Sequence, residues 1–125
     1  QTVLCDRYFD ATVAYQGVAR NLDTEMIFLL HQQAFQNLKP DLTFLLDLDP
    51  QKGLARAWRQ IDGGVREKTE TRFEEEKIVF HEKVRKGYLN LAHAEPERFA
   101  VIDAARDEDG VWEQIRGILA KTFNC

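Results

Sequence analysis

LTFLLDLDP, residues 42–50, decides the fold. Leu42 to Leu48 is a short apolar run of the kind that forms a buried strand. Asp49 and Pro50 stop it and open a helix, because the first helical turn tolerates proline's missing N–H. A strand that feeds a helix directly is the first half of a βα unit, and repeats of that unit make a parallel sheet.

Two further runs match it. Val3–Cys5 and Phe99–Ile102 are apolar, and each ends in polar residues, Asp6-Arg7 and Asp103. Helical patterns lie between them. Thr24–Leu38 places Met26, Ile27, Leu30, Ala34 and Leu38 on one face, with Asp23 as its cap and Lys39-Pro40 as its stop. A second helix runs from Pro50 to about Trp58. Phe73–Ala92 carries Phe80, Val84, Tyr88 and Leu91 as one stripe behind an acidic first turn, Glu74 to Glu76. Asp109–Phe123 turns Val111, Ile115, Ile118, Leu119 and Phe123 inward. The expected fold is α/β, a parallel sheet flanked by helices. A three-strand sheet is thin, and the chain starts inside a strand-like segment, so the expectation is a domain whose N-terminal strands are missing.

The chain has 125 residues, which suits a single domain over 1–125. It is 44% hydrophobic and 30% charged, with a net charge of -4. That balance speaks against a nucleic-acid-coating protein, yet a local arginine cluster can still hold a small anion. Cys5 and Cys125 form neither a disulfide framework nor a zinc motif, which suits a reducing, cytoplasmic setting. No apolar run is long enough to span a membrane. Residues 59–72, RQIDGGVREKTETR, lack apolar periodicity and read as a mobile loop hinged at Gly63-Gly64.

In open α/β sheets, ligands sit beyond the carboxyl ends of the strands. Asp6 and Arg7 fall at such an end. A guanidinium there can grip a phosphate with two parallel hydrogen bonds. Asp6 can orient Arg7 or hold a metal-bound water, and Thr12 and Tyr15 can line a pocket for the rest of a phosphorylated ligand. The other reading of Asp6-Arg7 is a local ion pair capping a helix. Asp47 and Asp49 read as a turn cap or as metal carboxylates. His31, His81 and His93 lack partners at ligand spacing and read as structural. Lys83, Arg85 and Lys86 form a basic patch without the interleaved aromatics of nucleic-acid binding.

Four stretches together resemble one family. DRYFDATVAYQGVAR (6–20), PDLTFLLDLDP (40–50), RFEEEKIVFHEKVRKGYLNL (72–91) and ERFAVIDA (97–104) resemble thymidylate kinases in order and spacing. The resemblance implies the P-loop nucleoside monophosphate kinase fold and transfer of a phosphoryl group from ATP, with Mg²⁺, to dTMP. It implies that Arg7 clamps phosphates and that Asp6 sits near the dTMP phosphate and Mg²⁺ through water. It places Thr12 and Gln16 near thymine and Tyr15 against the sugar, where it disfavours a 2′-hydroxyl. Residues 60–71 become a lid, with Arg72, Arg66 and Arg59 serving the ATP phosphates; Thr71 stands where the family often has Asp. Asp103, Ala104, Ala105 and Arg106 would lie near adenine, and a homodimer is the family's usual state. The chain resembles roughly the C-terminal three-fifths of such an enzyme, without the G-x-x-x-x-G-K-[ST] phosphate loop, so it should be inactive alone. The rival readings are a P-loop kinase for another nucleotide or deoxynucleoside, and a non-catalytic α/β module.

Overall fold

The structure is a computed structural model that describes residues 1–61 and 68–123, the side chains of 60, 61 and 68–76 excepted. It contains α1 (Phe9–Thr12), a π-helical continuation (Val13–Ala19), α2 (Thr24–Phe35), β1 (Thr43–Asp47), α3 (Pro50–Ile61), α4 (Lys68–Ala94), β2 (Phe99–Asp103) and α5 (Glu108–Phe123). β1 and β2 are parallel and in register from Thr43↔Phe99 to Asp47↔Asp103. Parallel neighbours need a crossover, and α3 with α4 supplies it. Asp47 and Asp103 thus end side by side at the carboxyl edge, with α3 and α5 leaving from that edge.

α4 packs most extensively on the Val13–Ala19 segment. Ala14, Ala19 and Val84 are buried there, with Tyr15, Phe80 and Tyr88 packed around them. Gly87 lets the two helices close up, since a Cβ at that position would stand 3.1 Å from the Ala14 Cα. α5 covers β2, where Phe99 and Ile102 are buried.

A buried ion pair locks α1 to the sheet. Arg98, just before β2, donates through both Nη atoms to Asp10 at 2.7 and 2.9 Å. Both side chains are almost wholly buried, 7% and 5% exposed. Arg98 also donates to Glu95 and to Thr43 Oγ1. Lys39 closes the other side of Glu95. Burial opposes the Arg98 charge, but the hydrogen bonds it donates to Asp10 and Glu95 outweigh it and raise its pKa. Burial also pushes the Glu95 carboxyl up, yet Lys39 and Arg98 together hold it below its ordinary value.

Several expectations need correction. Val3–Cys5 is not a strand but exposed chain without regular secondary structure, with Leu4 93% exposed. The described residues offer it no neighbouring strand, and an unpaired run has no ladder to join. α2 is capped by Asp23 as expected, through the Glu25 and Met26 amides. It ends earlier than Leu38, where Gln36 and Asn37 turn left-handed (φ 52° and 58°). Its apolar face is open: Met26, Leu29, Leu30 and Phe35 are all at least half exposed. Only His31 is buried on that helix, stacked on Phe9 at 3.9 Å and donating from Nε2 to the Leu38 carbonyl. α5 is only half-buried along Val111, Ile115, Ile118 and Leu119, and Phe123 is exposed. Both α3 and α4 reach further into 59–72 than the periodicity indicated. Of the expected lid over 60–71, residues 62–67, including the glycine pair, lie outside the described residues.

Breaking the buried fork has a defined cost. Asp10→Leu in the intact protein should lose about 3 to 5 kcal/mol in urea denaturation, and adding Arg98→Met should recover most of it. Glu95 contributes stability that is full above the ordinary glutamate range and drains as pH falls through its depressed folded value. Glu95→Gln should therefore flatten the acid limb of the stability–pH curve, read by urea melts between neutral and acid pH.

Candidate functional site

The first cluster stands on α1 and its continuation. Arg7 has a left-handed backbone, φ 64°, and its carbonyl accepts a weak bond from the Cys5 thiol. The turn lifts the guanidinium over the Tyr15 ring, 4.6 Å from the centroid. Stacking on an aromatic face leaves the N–H edges of an arginine free to meet an anion. Tyr15 is in turn braced edge-on by Tyr88, at 6.3 Å, and by a tilted Phe80, at 6.1 Å, both on α4. Burial pushes the Tyr88 phenol above its ordinary pKa, and the nearby Arg7 charge pulls it partly back. Gln16 is half-buried, and its Oε1 accepts from Arg20 at 3.1 Å. The π-helical turn widens the spacing here, a feature often found at functional sites.

The second cluster forms at the carboxyl edge of the sheet. Arg85 of α4 donates to both Asp47 oxygens, at 2.7 and 2.9 Å, and reaches Asp49 at 3.7 Å. The bond to Asp47 raises the Arg85 pKa. Asp49 caps α3 through the Gln51 and Lys52 amides. After β2, Asp103 Oδ1 accepts from the Ala105 amide. Gln114 of α5 bonds both the amide and the carbonyl of Asp103. Arg56 of α3 donates to the carbonyls of Ala104 and Ala105 at 2.8 and 2.9 Å.

The expected residues fall into these two groups. Arg7 and Tyr15 come together, and Thr12 and Gln16 lie on the same helical stretch. Asp6 is exposed just before α1 and makes no ion pair with Arg7 among the described residues, so the local-pair reading does not hold. The α1 cap position is Tyr8, without a side-chain bond. Asp103, Ala104, Ala105 and the exposed Arg106 form the loop after β2. Arg59 is exposed in the last turn of α3. The backbone of Arg72 is in α4; its side chain, and Arg66 entirely, lie outside the described residues. Asp49 is the turn cap before α3, whereas Asp47 is engaged by Arg85. Among the described residues no group of three or more His, Cys, Asp or Glu side chains could hold a metal ion.

Sequence reasoning missed Asp10, Arg56, Arg85 and Arg98. Arg85 stood out only as part of a basic patch. The signal for it was a carboxylate, Asp47, at the end of a strand that a helix must cross. No local signal marked Arg98 and Asp10, 88 residues apart.

The parallel β-helix-helix-β unit, with arginines gathered at its carboxyl edge and beside α1, is an α/β arrangement with a cationic face beyond the strand ends. A family profile described as thymidylate kinase matches residues 1–115. The thymidylate kinase of Desulfosudis oleivorans is 55% identical over 104 residues, covering 83% of this chain and 49% of that protein. That of Desulforapulum autotrophicum is 49% identical, covering 92% and 51%. That of Solidesulfovibrio magneticus is 51% identical, covering 97% and 58%. The chain belongs to the thymidylate kinase family. It spans about half the length of the curated relatives it matches.

The Arg7–Tyr88 proximity can be read spectroscopically. Arg7→Ala should move the Tyr88 phenol still higher in an NMR pH titration, because one stabilising charge leaves a buried site. A Tyr88 titration that does not change would contradict this placement of Arg7.

Proposed function

We propose that the protein carrying this chain transfers the γ-phosphoryl group of MgATP to dTMP, giving dTDP and ADP. The observation that carries this reading is Arg7, held over Tyr15 beside Tyr88, at the motif that resembles the family's signature. A dTMP phosphate oxygen attacks the γ-phosphorus as the bond to ADP breaks. Little covalent chemistry is asked of the protein, only positioning and positive charge on the moving group.

In this reading Arg7 clamps the phosphates of donor and acceptor. Thr12 and Gln16 face the thymine, and Tyr15 fills the space a 2′-hydroxyl would need. Arg59, Arg66 and Arg72 serve the ATP phosphates from residues 60–71 and their flanks, as a lid. The loop from Asp103 to Arg106 receives adenine. Mg²⁺ arrives as part of the substrate. A lone exposed carboxylate, Asp6, fits a contact through water and not a protein-built cage. A glycine-rich phosphate loop is needed to cradle the donor, and the 125 residues contain none, so the chain by itself is inactive. The open apolar face of α2 supports association of two copies as a homodimer. The protein works in the cytoplasm, in keeping with the free Cys5. No described helix is long and apolar enough to cross a membrane.

In the intact protein Arg7→Ala should lower the kcat for dTMP phosphorylation about a thousandfold or more. A coupled ADP-release assay reads it. Retained activity would remove Arg7 from the site. Preference for dCMP, dAMP or a deoxynucleoside over dTMP would move the protein to a related kinase.

A further inference from the structure

We propose that Arg56 is a positioning residue for the ATP side of the site; this rests on the reading of the loop after β2 as the adenine loop. Each backbone polar group from Asp103 to Ala105 has a partner. Asp103 N–H and carbonyl bond to Gln114. The Ala104 amide donates to the Asp47 carbonyl at 3.0 Å. The Ala105 amide donates to Asp103 Oδ1. The two remaining carbonyls, of Ala104 and Ala105, both accept from Arg56.

Such complete pairing is ordinary in a core, where unpaired groups are costly. Here Asp103 and Ala105 are exposed, and water could serve their backbone equally well. The pairing therefore does something other than satisfy buried groups: it holds an exposed, small-residue turn in one shape. Of the side chains that hold it, Arg56 alone comes from outside β2, the turn and α5. Its planar fork reaches two successive carbonyls at once, which fixes the orientation of both peptide planes. A lysine is a point charge on a flexible stem and cannot fix both.

A flat base that packs on this turn binds best when the turn is already in its bound shape, because ordering then takes nothing from affinity. Arg56 supplies that shape through its bonds to the backbone of the turn. It also ties the turn to α3, whose cap Asp49 lies beside Asp47 and Arg85. Removing Arg56 frees two carbonyls and loosens the donor side, and the Arg7–Tyr15 cluster is left as it was.

Calorimetric titration of the intact protein tests this. Arg56→Ala should weaken ATP binding about tenfold, with dTMP affinity unchanged. Arg56→Lys should fall between the two, and the urea midpoint of both variants should match the parent. Unchanged ATP affinity in Arg56→Ala overturns the proposal. So does an equal loss for ATP and dTMP with a lowered urea midpoint, which marks a mere structural brace. If Arg56→Ala does not fold, the ATP-against-dTMP split in Arg56→Lys decides between the same two outcomes. Because ATP binding is read without an acceptor, a parent protein that phosphorylates some other nucleotide defeats the dTMP reading and leaves this one standing.

Discussion

The guanidinium of Arg98 is the joint on which the molecule turns. It sits buried between Asp10, Glu95 and Thr43, and so fastens the first helix to the start of both strands. The segment before α1 gains no hold from a strand ladder, since Val3 to Cys5 is exposed chain. The place of Arg7 relative to the sheet therefore depends on α1, and α1 on Asp10. A buried ion pair offers little net stability over an apolar pair of the same volume. What it adds here is registration: a planar fork accepts one arrangement of the carboxylate, whereas apolar contact tolerates sliding.

α4 carries the same logic to the other side. Its Phe80 and Tyr88 back Tyr15, and its Arg85 closes on Asp47 at the strand end. One rigid helix thus faces both clusters, the aromatic shelf under Arg7 and the carboxyl edge of the sheet. The arginines have divided work. Arg85 and Arg98 are engaged by carboxylates and Arg56 by carbonyls, whereas Arg7 lies over the Tyr15 ring beside Tyr88.

Much of this was legible in the sequence. LTFLLDLDP announced β1, the Asp49 cap and α3, and FAVI (99–102) announced β2, because a short apolar run ended by polar residues is a local signal. Asp23 likewise marked the start of α2. The failures share a physical cause: they depend on what lies across the fold. Val3 to Cys5 has the composition of a strand but no neighbour among the described residues to pair with. The stripe on α2 has the spacing of a buried face, and nothing among the described residues covers it. Periodicity reports which face could be buried, not whether a surface exists to bury it. In the candidate site, Arg7, Tyr15 and the loop from Asp103 were expected from their resemblance to a family. The residues that hold them, Asp10, Arg56, Arg85 and Arg98, were not, since a long-range polar pair leaves no periodic trace in either partner's surroundings.

The most direct measurement is a crystal structure of the intact protein with a bisubstrate analogue, thymidine and adenosine joined through a chain of phosphates. The account predicts Arg7 bonded to the phosphate chain while still over Tyr15, thymine against Thr12 and Gln16, and adenine on the turn from Asp103 to Arg106. A ligand whose phosphates lie away from Arg7, or whose bases avoid both clusters, would contradict it.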